Sequence, residues 1–289
     1  MKSQEEQWLL KEKYDGVKTD EFFADCKALA LGTPLGYLIG HVPFLNCTIH
    51  LDSHPLIPRV ETEFWVDQAI TIIKQQQSIQ PTLKPQESDL SDLAQERLSP
   101  GGFGWGGEED EESSGRWSAG APRILDLCAG SGCIGVAVAR AIPNAQVDFS
   151  ELSKRLLPTI KKNCEENQID SDRYQIYHSN LFVGIPANRK YDFILSNPPY
   201  IDPAIDRATD SVKSHEPHLA LYGGIAGLEI IAQLVKQAKN HLSPSGQLWI
   251  EHEPEQSAAI QKIAGDNGFN ATTCLDQYDI ERYSILVIQ

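Results

Sequence analysis

Apolar positions in the first 31 residues recur at helical spacing. Trp8, Leu9, Leu10, Tyr14, Phe22, Phe23, Cys26, Leu29 and Leu31 line one or two short helices, with Gly32 as the stop. Phe44, Cys47, Ile49 and Leu51 then follow an alternating pattern, which predicts a β-hairpin. Beyond it, Thr62 is placed to cap a helix whose apolar face is Phe64, Trp65, Ala69, Ile70 and Ile73. Over residues 75–121 the periodicity is lost among glutamines, prolines, a glycine-rich run at 101–107 and acids at 108–112. This is the composition of a low-complexity insertion or linker between two folded parts.

Regularity returns at Arg123. Apolar strands at 124–127, 147–149, 174–177, 193–195 and 247–250 alternate with helix-period stretches at 134–141, 154–167, 228–242 and 256–267. Such alternation predicts a parallel, doubly wound α/β sheet. Residues 271–275 and 283–288 are two strands with no helix between them, so the last strand must lie antiparallel. Five parallel strands closed by this pair resemble the class I S-adenosylmethionine-dependent methyltransferase fold. The expected organisation is a helical and β-hairpin substrate-binding part at 1–74, the insertion at 75–121 and a methyltransferase domain at 122–289.

Composition narrows the partners. A chain of 289 residues with 41% hydrophobic content can bury one large core and a small addition. The formal net charge of −15 opposes the basic footprint of a nucleic-acid binder, so no direct stable nucleic-acid binding is expected. The six cysteines form no Cys-x-x-Cys pair and fit a reducing compartment. No signal pattern opens the chain and no apolar run is long enough for a membrane span, which makes the cytoplasm the expected location. In His215-Glu216-Pro217-His218 the proline prevents a helix from presenting both rings to an ion, so no metal site is expected.

The stretch with the most chemistry is 191–200. Its apolar run, Phe193 to Leu195, ends at Asn197-Pro198-Pro199-Tyr200, because proline cannot continue a ladder. Asn197 therefore stands at the C-terminal tip of a buried strand, where open α/β sheets place their ligands. Its side-chain oxygen and the Pro198 carbonyl make two acceptors in a stiff arc, matching the two hydrogens of a planar NH2 group, and Tyr200 offers a ring beside it. The four residues resemble the Asn-Pro-Pro-Tyr signature of amino-group methyltransferases; the plain alternative is a Pro-Pro turn with a capping asparagine.

Asp126-Leu127-Cys128-Ala129-Gly130-Ser131-Gly132 leaves the first strand for a helix, where small residues permit close approach and free amides attract a carboxylate. It resembles the methyltransferase Gly-x-Gly-x-Gly loop with Cys128 replacing the first glycine. The second strand offers two acids for ribose hydroxyls, Asp148 and Glu151. Glu151 is preferred because it lies at the strand end, twelve residues before Asn163, the spacing that family shows. Leu152 is then placed to pack on adenine. Asn180 and Leu181 end the third strand, where Asn180 replaces the family's usual aspartate.

The ordered set is similar to the peptide chain release factor N(5)-glutamine methyltransferases, the HemK/PrmC type. It includes residues 34–40, 57–63, the glycine loop, Asn197 to Tyr200, Glu216-Pro217, Ala220-Leu221, Gly223-Gly224, Gly227-Leu228, Glu251 and Gln256. Cys128, Asn180, the insertion and a short N-terminal helical part depart from that family. The resemblance implies S-adenosyl-L-methionine as cofactor and, as partner, a class I release factor carrying a Gly-Gly-Gln glutamine. It implies Asn197, Pro198 and Tyr200 as catalytic, with Pro199, Arg59 and Glu63 also facing substrate. The cofactor would be held by Asp126, Cys128, Ala129, Gly130, Ser131, Gly132, Glu151, Leu152, Asn180, Leu181 and Asn197. The rival functions are a DNA or RNA adenine amino-group methyltransferase and a non-catalytic binding protein that kept the fold.

Overall fold

The computed structural model describes residues 3–79, 120–205 and 209–289. Most of the expected insertion therefore lies outside the described residues.

Two short helices open the chain, α1 (Gln4–Glu12) and α2 (Asp20–Ala30). Ser3 and Thr19 cap them by accepting the Glu6 and Phe22 amides, and Gly32, at φ +93°, ends the second. A single helical turn, α3 (Leu35–Ile39), precedes the hairpin of β1 (His41–Phe44) and β2 (Cys47–His50). That turn is absent from the sequence-based reading, which saw only the following alternation. Helix α4 (Val60–Ile79) begins before Thr62 and continues past residue 74. Thr62 is therefore not the cap but sits inside the first turn, 2% exposed. The expected boundary at 74/75 falls inside this helix.

The sheet is built by β3 (Arg123–Leu127), β4 (Gln146–Glu151), β5 (Tyr174–His178), β6 (Tyr191–Ser196), β7 (Leu242–Glu251), β8 (Phe269–Leu275) and β9 (Glu281–Ile288). Their spatial order is β5-β4-β3-β6-β7-β9-β8. The first five run parallel, and β9 inserts antiparallel between β7 and β8. The order reverses between β3 and β4 on one side and β6 on the other, so the ligand-binding crevice opens at the C-terminal ends of β3, β4 and β6.

Helices cover both faces, as parallel strands buried on two sides require. On one face Ile124, Phe149 and Leu195 pack with α4 and with α5 (Cys133–Ala141) and α6 (Leu157–Glu166). On the other, Leu125, Ile194 and Leu248 pack with α8 (Glu229–Ala238) and α9 (Ser257–Asp266). A short helix, α7 (Asp210–His215), stands at the C-terminal end of the strands. The packing makes α4 a layer of the sheet: Trp65 stacks on Trp249 and Tyr283 at 6.4 and 6.1 Å between ring centres. No helix among the described residues is long and apolar enough to cross a membrane.

Candidate active site

A cavity of about 530 Å³ opens at the crevice, within the range of small-molecule sites. Its floor is the β3–α5 loop, with Cys128, Ala129, Gly130 and Ser131; one wall is Glu151 and Leu152 from β4; another is Asn180 and Leu181 after β5. Asn197 and Pro199 from the end of β6 close the far side. Sequence positions spread over seventy residues thus share one space.

The loop takes its shape from three successive left-handed positions, Cys128 (φ +63°), Gly130 (φ +57°) and Gly132 (φ +78°). Cysteine at the first carries the strain that glycine would avoid. The two glycines serve different needs. A Cβ on Gly130 would meet no protein atom within 4 Å, whereas one on Gly132 would press on Ile160 at 3.0 Å and Phe149 at 3.3 Å. Gly130 leaves room above the loop for a ligand, and Gly132 leaves room for the core.

Glu151 is 8% exposed. Its Oε2 accepts the Gly130 amide at 2.8 Å and Oε1 accepts the Ser153 amide at 2.6 Å. Burial raises its pKa, and these amides oppose the rise. The competing acid, Asp148, is engaged elsewhere: its Oδ2 accepts the Tyr191 hydroxyl inside the sheet. Asp126 lies fully buried beneath the loop and is not part of the cavity wall. Its Oδ2 accepts the Gly135 amide at 2.8 Å, its Oδ1 has no hydrogen-bond partner, and burial pushes its pKa up to about 8. The Cys128 thiol is pushed up to about 12 by burial, with the nearby Glu151 charge acting the same way, so it stays a neutral filler at physiological pH.

At the other end, Asn197 Nδ2 donates to Thr62 Oγ1 at 3.1 Å. Thr62 in turn donates to Glu251 Oε2 at 2.6 Å, and the Trp65 indole donates to the same oxygen at 2.7 Å. The Tyr200 hydroxyl donates to Glu251 Oε1 at 2.9 Å. Burial raises the Tyr200 pKa well above its usual value, and the Glu251 charge adds to this. Pro198 is buried, and neither it nor the Tyr200 ring lines the cavity.

The backbone of 197–200 is held from behind by glycines. A Cβ on Gly223 would stand 2.5 Å from the Pro199 carbonyl oxygen, and one on Gly227 would overlap that of Tyr200. Gln256 Nε2 donates to the Tyr200 and Ala226 carbonyls at 2.8 and 2.9 Å. This close docking is the physical reason for glycines at 223 and 227.

Arg59 and Glu63 do not line the cavity. Arg59 Nη2 donates to Glu216 Oε1 at 2.6 Å, and Glu216 Oε2 accepts the Ile57 amide at 3.2 Å. Glu63 accepts the Leu45 amide and so braces the hairpin. Three residues behind the site were read otherwise in the sequence: Thr62 as a cap, Trp65 as part of an apolar helix face and Glu251 only within the ordered family set. An acid at the end of a buried strand was the available signal for Glu251. Segment 213–220 also borders the cavity. Among the described residues there is no cluster of His, Cys, Asp or Glu able to hold a metal ion.

Residues 118–214 match the family model described as "Methyltransferase small domain". The chain is 32% identical over 238 residues to a release factor glutamine methyltransferase of Rhodopirellula baltica, covering 82% of this chain and 67% of that one. It is 30% identical over 262 residues to the protein of that name in Borreliella burgdorferi, covering 90% and 74%. A bifunctional methyltransferase of Rickettsia prowazekii is 30% identical over 239 residues, but this chain spans only 41% of its length. With these relatives, the strand order and the crevice loop, the chain belongs to the release factor glutamine methyltransferase family and is an S-adenosylmethionine-dependent methyltransferase of the class I fold.

Proposed function

We propose that the protein methylates the side-chain amide nitrogen of a glutamine in the Gly-Gly-Gln motif of a class I release factor. The observation that carries this is the meeting of Asn197 with the glycine loop and Glu151 on one cavity.

The donor's requirements fit this chain. The open space above Gly130 suits the methionine end, the Glu151 carboxylate at the cavity wall suits ribose hydroxyls, and Leu152, 43% exposed, offers an apolar face for adenine beside Asn180. Bound S-adenosylmethionine supplies an electrophilic methyl group. The rest falls to the protein. An amide nitrogen is a weak nucleophile because its lone pair is shared with the carbonyl. Of the two acceptors the sequence suggested, Asn197 stands on the cavity; its Oδ1 accepts an amide hydrogen, which places partial negative charge beside a nitrogen that becomes positive and orients it toward the methyl. Tyr200, anchored on Glu251, keeps this stretch in place. No base need act before transfer, since the amide nitrogen that has just received the methyl group still carries both hydrogens and a positive charge, is strongly acidic in that form and loses a proton to water. The N-terminal part, whose described residues 3–74 are tied to the segment bordering the cavity by Arg59–Glu216, is the part that meets the release factor.

The test is transfer of radiolabelled methyl from S-adenosylmethionine into a purified release factor, compared with a copy whose Gly-Gly-Gln glutamine is replaced. Label in the first and none in the second is the expected result. Equal label in both would place the acceptor elsewhere.

A further inference from the structure

The two ends of the Asn197 amide are alike in shape and opposite in chemistry, and the contacts behind it decide which end faces the cavity. The Trp65 indole N–H, which can only donate, points at Glu251 Oε2. That oxygen is therefore an acceptor whether Glu251 is ionised or neutral. Thr62 Oγ1 is 2.6 Å from the same oxygen and must commit its single hydrogen there. What Thr62 has left for Asn197 is a lone pair, and this takes the Nδ2 hydrogen at 3.1 Å. A reversed amide would set Oδ1 against the Thr62 oxygen with no hydrogen between them. Thr62 and Glu251 are 2% and 1% exposed, so water does not relieve the mismatch.

We propose that Trp65, Glu251 and Thr62 form a one-way hydrogen-bond relay that holds the Asn197 oxygen toward the substrate, so that the site accepts a carboxamide and refuses a carboxylate. Thr62 and Glu251 are then positioning residues, acting through Asn197. This rests on the glutamine-amide reading above. The refusal follows from the same geometry: a glutamate in place of the target glutamine would bring oxygen lone pairs against Oδ1, with no hydrogen to share.

Thr62→Val keeps shape and burial but removes the lone pair, leaving the Asn197 amide free to turn. The experiment measures turnover on a release-factor domain, and the binding preference for that domain over its Gln→Glu copy, in the full-length enzyme. In Thr62→Val, turnover is expected to fall about tenfold, and the Gln-over-Glu preference by a similar factor, the scale of one buried hydrogen bond. The KM for S-adenosylmethionine should stay within about twofold, because the glycine loop and Glu151 are untouched. Thr62→Ser, which restores the hydroxyl, should recover both. Glu251→Gln supplies the second arm: Trp65 and Thr62 both donate to one position, so only the amide oxygen can stand there, and the preference should be kept even where the rate changes through Tyr200. An unaltered preference in Thr62→Val, or a preference lost in Glu251→Gln, overturns the relay. Failure of the native enzyme to label the glutamine domain would instead overturn the substrate reading, and that arm is scored separately.

Discussion

Single residues at this site divide into those that make room and those that make contacts, and substitution separates the two. Gly130→Ala places a methyl where no protein atom lies within 4 Å. Its structural cost is the left-handed backbone alone, about 1 kcal/mol, while the methyl stands in the space offered to the cofactor. Cofactor affinity in calorimetry should fall about tenfold or more, with only a small change in the unfolding midpoint. Gly132→Ala meets the Ile160 and Phe149 side chains instead and should lower stability by roughly 1–3 kcal/mol. If both variants bind the cofactor normally, the loop is not its seat. Asn197 tests the contact class. Removing its oxygen in Asn197→Ala should slow single-turnover methylation about a hundredfold, by analogy with loss of one oxyanion-hole donor, with a much smaller change in cofactor binding. A near-native rate would return the Asn-Pro-Pro-Tyr stretch to a simple turn.

Between elements, helix α6 and its C-cap hold the hairpin by two asparagines one turn apart, Asn163 and Asn167. Asn163 Oδ1 accepts the His50 amide at 2.7 Å, and its Nδ2 donates to the His50 carbonyl and to the Ser131 carbonyl in the glycine loop. Asn167 treats Thr48 in the same way. The side-chain amides thus complete the open edge of β2 as a neighbouring strand would. Asn163→Ala leaves the buried Ser131 carbonyl and the half-buried His50 amide and carbonyl without this partner and should cost about 1–3 kcal/mol in chemical denaturation; a loss no larger than that of a surface substitution would mean that water replaces the amide. The clamp also shows what the sequence could convey. The strands of the sheet were legible because buried parallel strands carry continuous apolar runs, and the antiparallel last pair because no helix intervenes. That Glu151 and Asn197 would face one cavity was legible because strand ends are where this topology opens its crevice. Short elements were not: α3 and α7, of five and six residues, carry too little periodicity to register. Nor was the true place of Thr62, since a threonine near a helix start is as good a cap locally as it is a buried partner for Glu251, 189 positions away. Only the tertiary fold distinguishes the two.

Taken whole, the molecule gathers buried acids where its parallel strands end. Asp126 ends beneath the loop, Glu151 closes β4 and Glu251 closes β7, and burial raises the pKa of each. They sit in a chain whose formal charge is already −15, so nothing in the overall field favours their ionisation. The consequence for stability has a definite sign. An acid whose folded pKa lies above its unfolded value keeps its proton longer in the folded state; it stabilises fully below the unfolded pKa, and that contribution is lost as pH rises through the folded one. For Asp126 the window runs from its ordinary 3.8 to about 8. Asp52, lowered by Lys162, and Asp276, lowered chiefly by the Tyr278 and Ile280 amides, act below this window, but His50, His241 and His252, whose pKa burial lowers, gain stability as pH rises toward 6.5 and oppose it. Asp126 therefore contributes a decline in the thermal midpoint of the ligand-free protein between about pH 5 and about pH 8, set against the rise that the histidines contribute below about pH 6.5. Asp126→Asn isolates one contributor: its oxygen still accepts the Gly135 amide, but it cannot ionise. Its midpoint should fall less, or rise more, across that window than that of the native protein, whatever its absolute value, and parallel midpoint curves for the two would show that Asp126 is already ionised in the folded state.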